Sequence, residues 1–305
     1  MTATAFGALL IILAGAVARH YGIVRREDGP LLVRLVIYLA LPPLIFVIIA
    51  EADLDASLLL VPVVAYALYF LLLGIAWVST RVWGMEPPRA GAVIVATAVG
   101  NTGFFGVPLI AASGSGFSLP AAVMYDTLCT GVITWTSTVA IASAYGRAEG
   151  EPRMSLGDLG KALLLPPNWA LAAGLVVNLM GGGDLPSAVE RPMELLGAAT
   201  LPLTMLYAGL MIELTGLGAL WREIGFITVV RLGLSTVLGL GLAVAVGLSG
   251  DVLHTVVIMA GMPTAMMSLV LGTRYGLRSD ILAGAVVVTT LLATLTLPAW
   301  RAALL

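Results

Sequence analysis

The chain has 305 residues, 60% of them hydrophobic and 10% charged, with a formal net charge of −2. A soluble domain carries about 25% charged residues, so this chain has too little polar surface to coat a soluble globule and reads as an all-α polytopic membrane protein. The small net charge gives no sign of a nucleic-acid partner, and the single Cys129 excludes an intrachain disulfide framework and a cysteine-based metal site.

Ten apolar runs predict ten transmembrane helices, over residues 4–20, 31–51, 58–79, 89–112, 119–143, 159–179, 193–213, 222–247, 251–272 and 280–300. Most reach the roughly 20 residues that a bilayer core requires, and none shows the strict alternation of a strand. The first run is followed, not preceded, by Arg19, Arg25 and Arg26. That flank predicts a helix entering from outside rather than a cleaved signal. Span 2 carries Leu41-Pro42-Pro43, and span 7 carries Leu201-Pro202; both are expected to bend there.

Span 4 contains Gly100-Asn101-Thr102-Gly103, which reads as a break in the helix. Asn101 lies 12 residues beyond Arg89, about 18 Å deep at about 1.5 Å per residue. That is near the middle of a core about 30 Å thick. The glycines permit backbone angles that interrupt a helix. Asn101 and Thr102 supply short polar groups able to cap the new end, and Pro108 falls one turn into the second half. Span 9 repeats the logic at Gly261-Met262-Pro263-Thr264. Lipid cannot hydrogen-bond open backbone, so such joints must be buried in protein or line a cavity. Paired interrupted helices are the best sequence-level pointer to a secondary transporter's binding site. Half-helices starting at a break present free N–H groups and partial positive charge, which suits a small carboxylate-bearing anion. The residues expected at the site are Gly100, Asn101, Thr102, Gly103, Gly261, Met262, Pro263, Thr264 and Ser268. Pro42, Pro43, Pro108 and Pro202 are expected to shape the bends.

Orientation follows from the basic residues. Thirteen Lys and Arg flank the connections after odd-numbered spans and only Arg191 and Arg301 lie on the other side, which puts both termini outside. The polar connection 145–158 reads as a cytoplasmic linker between a five-helix repeat at 1–144 and a second at 159–305. An odd number of spans per half makes the second half enter with opposite polarity, an inverted 5+5 repeat with spans 4 and 9 broken and crossing. Leu41-Pro42 and Leu201-Pro202 are 160 residues apart, as are Asp53-Leu54 and Glu213-Leu214, and the same offset sets Asn101 on Gly261.

Few ionisable residues fall inside spans, where each is costly. Asp126, about 10 Å into span 5, reads either as a proton-coupling acid or substrate contact, or as a hydrogen-bonded anchor with Tyr125 or Thr127 nearby. Arg231 lies nine residues inside Arg222. It reads as a side chain snorkelling towards the cytoplasm, with an anion-facing role or a pairing with Glu213 as the alternatives. His254 and Asp251 read as an interfacial pair. Tyr125-Asp126 and Gly181-Gly182-Gly183-Asp184 superficially match intramembrane aspartyl proteases, but Asp184 falls in a loop and the Pro-Ala-Leu motif is absent from the C-terminal region. No zinc-protease helix, nucleotide-binding loop or serine-hydrolase elbow occurs, so neither an enzyme nor an ATP-driven pump is expected.

Val99-Gly100-Asn101-Thr102-Gly103-Phe104-Phe105-Gly106-Val107-Pro108-Leu109 resembles the first crossover of the auxin efflux carrier family. Met262-Pro263-Thr264-Ala265 with Gly272-Thr273-Arg274-Tyr275-Gly276 resembles the second, and Leu41-Pro42-Pro43-Leu44-Ile45-Phe46 is similar to that family's second helix. The resemblance covers essentially the whole chain and implies ten helices and crossed broken helices. It also implies scaffold and transport domains, each built from both repeats, with elevator-type alternating access and a homodimer joined through the scaffold. It extends more distantly to the bile acid:sodium symporter fold. The family includes plant auxin exporters and bacterial carriers linked to malonate or malate. Met266-Met267 stands where members often carry a polar residue, with Ser268 the nearest polar group. The expectation is a secondary transporter of a small organic anion in the inner membrane, coupled to protons or sodium, with no cofactor. A receptor that binds without transporting is the alternative.

Overall fold

The structure is a computed structural model that describes residues 2–146, 164–181, 185–212 and 217–304. Most of the linker 145–158, together with Asp184 and Glu213, lies outside the described residues. In chain order the helices are α1 (Thr2–His20), α2 (Gly29–Ala50), α3 (Ala56–Val82), α4 (Pro87–Ala98), α5 (Thr102–Ala111) and α6 (Leu119–Tyr145). They continue with α7 (Pro166–Leu179), α8 (Ser187–Leu210), α9 (Gly218–Ala245), α10 (Gly250–Ala260), α11 (Met266–Arg274) and α12 (Ser279–Leu304). Among the described residues every segment read as a span carries helix. Six of these helices, α2, α3, α6, α8, α9 and α12, are individually long and apolar enough to cross a membrane.

Proline sets several boundaries. Pro166 and Pro167 open α7, where a missing N–H costs nothing because the first turn has no acceptor for it. Inside α2 the prolines widen the helix: Val36–Ala40 forms a π turn, and the Leu41 N–H reaches back to the Val36 carbonyl just before Pro42 and Pro43. The same device precedes Pro108, where the Val107 N–H bonds the Thr102 carbonyl across a π turn over Thr102–Gly106. Two further π turns, Tyr125–Thr130 and Val230–Leu234, carry Asp126 and Arg231. Single π turns inside α-helices occur often at functional sites.

The strongest packing falls within two sets of helices. One joins α1 with α8 and α2 with α7 and α8; the other joins α3 with α4 and α9, α9 with α10 and α12, and α12 with α4 and α11. Small residues allow the close approaches of the first set. Gly15 of α1 lies against the Leu206 backbone and Gly209 of α8, and Gly174 of α7 lies against Phe46 and Ile49 of α2. Close backbone approach at small residues is the usual basis of helix association in lipid. Each pair also ends in a similar way. Arg19 Nη1 of α1 donates to the Leu210 carbonyl of α8 at 2.7 Å. Asn178 Nδ2 of α7 donates to the carbonyls of Ile49, Ala50 and Ala52 at the end of α2, at 3.2, 3.2 and 2.7 Å. Carbonyls at a helix end have no intrahelical donor, and in both pairs the neighbouring helix supplies one.

Candidate functional site

The two interrupted helices meet at their breaks. Gly100 and Thr264 form an isolated antiparallel bridge. The Asn101 N–H donates to the Pro263 carbonyl at 2.7 Å, and the Ala265 N–H donates to the Val99 carbonyl at 3.0 Å. Val99 and Ala265 are extended, so each chain leaves its helix for a few residues and finds its hydrogen bonds on the other. This is how open backbone is satisfied where water is absent.

Side chains add to the joint. The Thr264 hydroxyl donates to the Ala96 carbonyl at 2.9 Å, and the Thr264 N–H donates to Thr289 Oγ1 of α12 at 3.0 Å. Thr102 Oγ1 donates to Asp126 Oδ1 of α6 at 2.6 Å. Neither Asn101 nor Ala265 caps its helix through a side chain, so the expected polar caps are replaced by contacts between helices. The glycines also act differently from expectation. Gly100 and Gly103 do not adopt positive φ. They provide room instead: a Cβ on Gly103 would lie 2.7 Å from Asp126 Oδ2, and one on Gly100 would collide with Arg231 Nη2.

A cavity of about 90 Å³ opens beside the first break. At about 10–15 Å³ for each water-sized position, that is room for a small solute of a few heavy atoms. Gly100 to Phe104 form one wall, and Asp126, Thr127, Thr130 and Thr134 of α6 another. Ile37 and Leu41 of α2, Pro167 and Asn168 of α7, Ala265 and Met267 complete it. Asp126 is the one ionisable side chain among the lining residues. Asn101 is 3% exposed, and its Nδ2, like Thr127 Oγ1, has no hydrogen-bond partner among the described residues. A buried donor without a partner costs about 1–3 kcal/mol, so two on facing walls of one cavity mark a place equipped for a polar ligand.

Of the residues expected at the site, Gly100, Asn101, Thr102 and Gly103 line this cavity, and Gly261, Met262, Pro263, Thr264 and Ser268 do not. The second break is committed to the joint through its backbone carbonyls and the Thr264 side chain. Ser268 Oγ is buried without a partner away from the cavity. Ala265 and Met267 are what the second half contributes. Pro108 and Pro202 line a separate cavity of about 900 Å³ with Glu51, Asp53, Glu194 and Asp251.

Three further expectations are corrected. Arg231 does not snorkel: it is 3% exposed and turned into the joint, donating to the carbonyls of Met262, Ala260 and Thr97. Its depth was the available signal, since an intramembrane charge marks function by default. His254 does not pair with Asp251, and its Nδ1 is buried without a partner. Asp126 is held by Thr102, not by Tyr125 or Thr127. An ion pair unseen in the sequence, the exposed Arg89 with the buried Glu223, ties the start of α4 to α9, with Nε to Oε1 at 2.6 Å.

Comparison with known proteins follows the same lines. Residues 3–301 match the model of a family described as Membrane transport protein. An uncharacterized transporter of Methanothermobacter thermautotrophicus is 29% identical over 99% of this chain and 98% of its own length. A second uncharacterized transporter, from Methanocaldococcus jannaschii, is 27% identical over 96% of this chain and 95% of its own. A Rhizobium meliloti protein provisionally named a malonate transporter is 27% identical over 86% of this chain and 82% of its own.

Proposed function

Because the chain belongs to the Membrane transport protein family, which is auxin efflux carrier-like and whose model it fills from residue 3 to 301, we propose that it is a secondary transporter of a small organic anion. The observation that carries this reading is the unpartnered Asn101 Nδ2 on a cavity wall at the starting end of α5. A helix start offers free N–H groups and partial positive charge, and the amide adds a donor for a carboxylate. A dicarboxylate of malonate size is the first substrate to test, since a relative bears that provisional name.

Asp126 decides how an anion can be held here. Its carboxylate occupies the same helix start through Thr102, and among the described residues no Lys or Arg lines the cavity to balance it. Two carboxylates sharing one site cannot both stay ionised cheaply. The anion therefore binds with Asp126 protonated, and one proton travels with it. In this reading Asn101 and Thr102 hold the substrate, while Gly100 and Gly103 keep the joint open to the neighbouring helices.

We read the architecture as ten membrane spans in a 5+5 inverted repeat, 1–144 and 159–305, with the two broken helices crossing at the bridge. The reciprocal packing of α1 with α8 and of α7 with α2 supports it. That set would be the scaffold and the homodimer surface, and α3–α6 with α9–α12 the transport domain of an elevator. The charge asymmetry supports a reading with both termini outside the cell membrane and the 145–158 linker inside. The cavity reaches Pro167 and Asn168 at the start of α7, the end we assign to the inner side, so we read the conformation as inward-facing.

The test is counterflow of radiolabelled malonate and other small mono- and dicarboxylates into liposomes holding the purified protein, with pH varied. Saturable, pH-dependent exchange is expected. Binding of these acids without flux would replace the transporter reading with a receptor.

A further inference from the structure

Arg231 sits where the two interrupted helices end. Its Nη2 donates to the Met262 carbonyl at 2.8 Å and to the Ala260 carbonyl at 3.1 Å. Nε reaches the Met262 carbonyl at 3.2 Å, and Nη1 points to the Thr97 carbonyl at 3.5 Å. Ala260 closes α10 and Thr97 lies in the last turn of α4, so these oxygens belong to the negative ends of both half-helices. Among the described residues no carboxylate pairs with the guanidinium; all of its bonds go to backbone carbonyls. Ser235 Oγ adds a further donor to the Ala260 carbonyl at 2.7 Å.

Unwound carbonyls and half-helix C-terminal ends are the groups with which secondary transporters coordinate a coupling sodium ion. Here a side chain from α9 already satisfies them. We propose that Arg231 is a tethered cation filling the carbonyl cage a sodium ion would otherwise use, so that this transporter runs without sodium. The inference rests on the transporter reading above and settles its choice of ion.

Three features of the protein favour a fixed occupant. A guanidinium stays charged throughout the accessible pH range, so the cage is never emptied by deprotonation. A π turn over Val230–Leu234 carries the residue, and Gly100 leaves the space its Nη2 fills. A sodium ion approaching the same oxygens would meet a unit charge about 4 Å away, which at an effective dielectric of about 20 lowers its occupancy on the order of a thousand-fold. Division of labour follows: the carbonyl ends of the joint hold a permanent cation, and Asp126 at the starting end of α5 is left to take up a proton.

The test uses thermal unfolding of the purified full-length protein in sodium chloride against choline chloride at equal concentration. The wild-type midpoint is expected to be the same in both. Arg231→Ala is expected to unfold several degrees lower in choline and to recover part of that loss in sodium, or in millimolar methylguanidinium. Arg231→Gln, which keeps an uncharged amide donor on a shorter side chain, carries the same expectation if the alanine variant does not fold. A sodium-specific rise in the wild-type midpoint, sodium-driven malonate uptake by the wild type, or variants as stable as wild type and blind to both cations would each overturn the proposal. The unfolding measurement needs no flux. The expected midpoint pattern without exchange of any acid would sink the transporter reading and leave the cage standing, whereas sodium-driven exchange would do the reverse.

Discussion

The first and second breaks share one antiparallel bridge but present opposite chemistry. At the first, Asn101 and Thr102 turn polar side chains toward a cavity, and a carboxylate from α6 meets them. At the second, Gly261 to Thr264 are fully buried or nearly so, and the groups in use are carbonyls, the Thr264 N–H and its hydroxyl, engaged by Arg231, Thr289 and Ala96. Breaking a helix frees both donors and acceptors; beside the first break a cavity and an unpartnered amide remain, whereas at the second the freed groups are taken up by neighbouring protein groups. In the proposed reading the first receives a solute and the second holds the protein together. Two breaks that share one bridge therefore need not share a role.

The largest effect that would break this comparison is expected at Gly103. Gly103→Val drives a side chain into the Asp126 carboxylate, and malonate exchange should fall to background while the protein still reaches the membrane. Normal exchange by this variant would show that the Thr102–Asp126 contact is not part of the site. Asn101→Ala comes next. Loss of one hydrogen bond to a charged group is worth about 1.5–3 kcal/mol, so substrate affinity in a binding titration should drop by about ten- to a hundred-fold. An unchanged titration would remove Asn101 from the substrate.

Asp126→Asn sharpens the distinction between binding and coupling. With Asp126 taking up the proton, wild-type uptake is largest at low pH and declines as pH rises through the titration of that acid. The variant should bind substrate with a flat pH profile, and a profile matching wild type would assign the proton elsewhere. Thr264→Val probes the second break alone. It leaves the Ala96 carbonyl without its hydroxyl donor, so stability should fall by about 1–3 kcal/mol in denaturant melts, with affinity intact. Ser268→Ala is the smallest. It removes a buried hydroxyl that has no partner, so both stability and exchange should stay within about 0.5 kcal/mol of wild type.

Much of this arrangement was legible without coordinates. The apolar runs predicted where helices lie, because a membrane helix makes its backbone bonds locally and needs only length and apolarity. The position of the first break, and its place beside a cavity, followed from the same backbone argument. Less was legible of the second break. Letters such as Gly-Met-Pro-Thr do not reveal whether the freed carbonyls face a solute or a side chain. The glycines misled in one respect: their spacing suggested unusual backbone angles, whereas Gly100 and Gly103 keep ordinary ones and serve to admit Arg231 and Asp126.

By itself, the amino-acid sequence determined that this chain is a membrane protein, where its helices run and where two of them are interrupted, since those properties depend on composition and on residues close in the chain. The tertiary structure alone decided which charged group meets which break. Asp126 is 24 residues from Thr102, and Arg231 is 31 from Met262 and 134 from Thr97. No local pattern encodes such pairings. They arise because a buried charge must find hydrogen-bonding groups where there is no water, and in this fold the two breaks supply them.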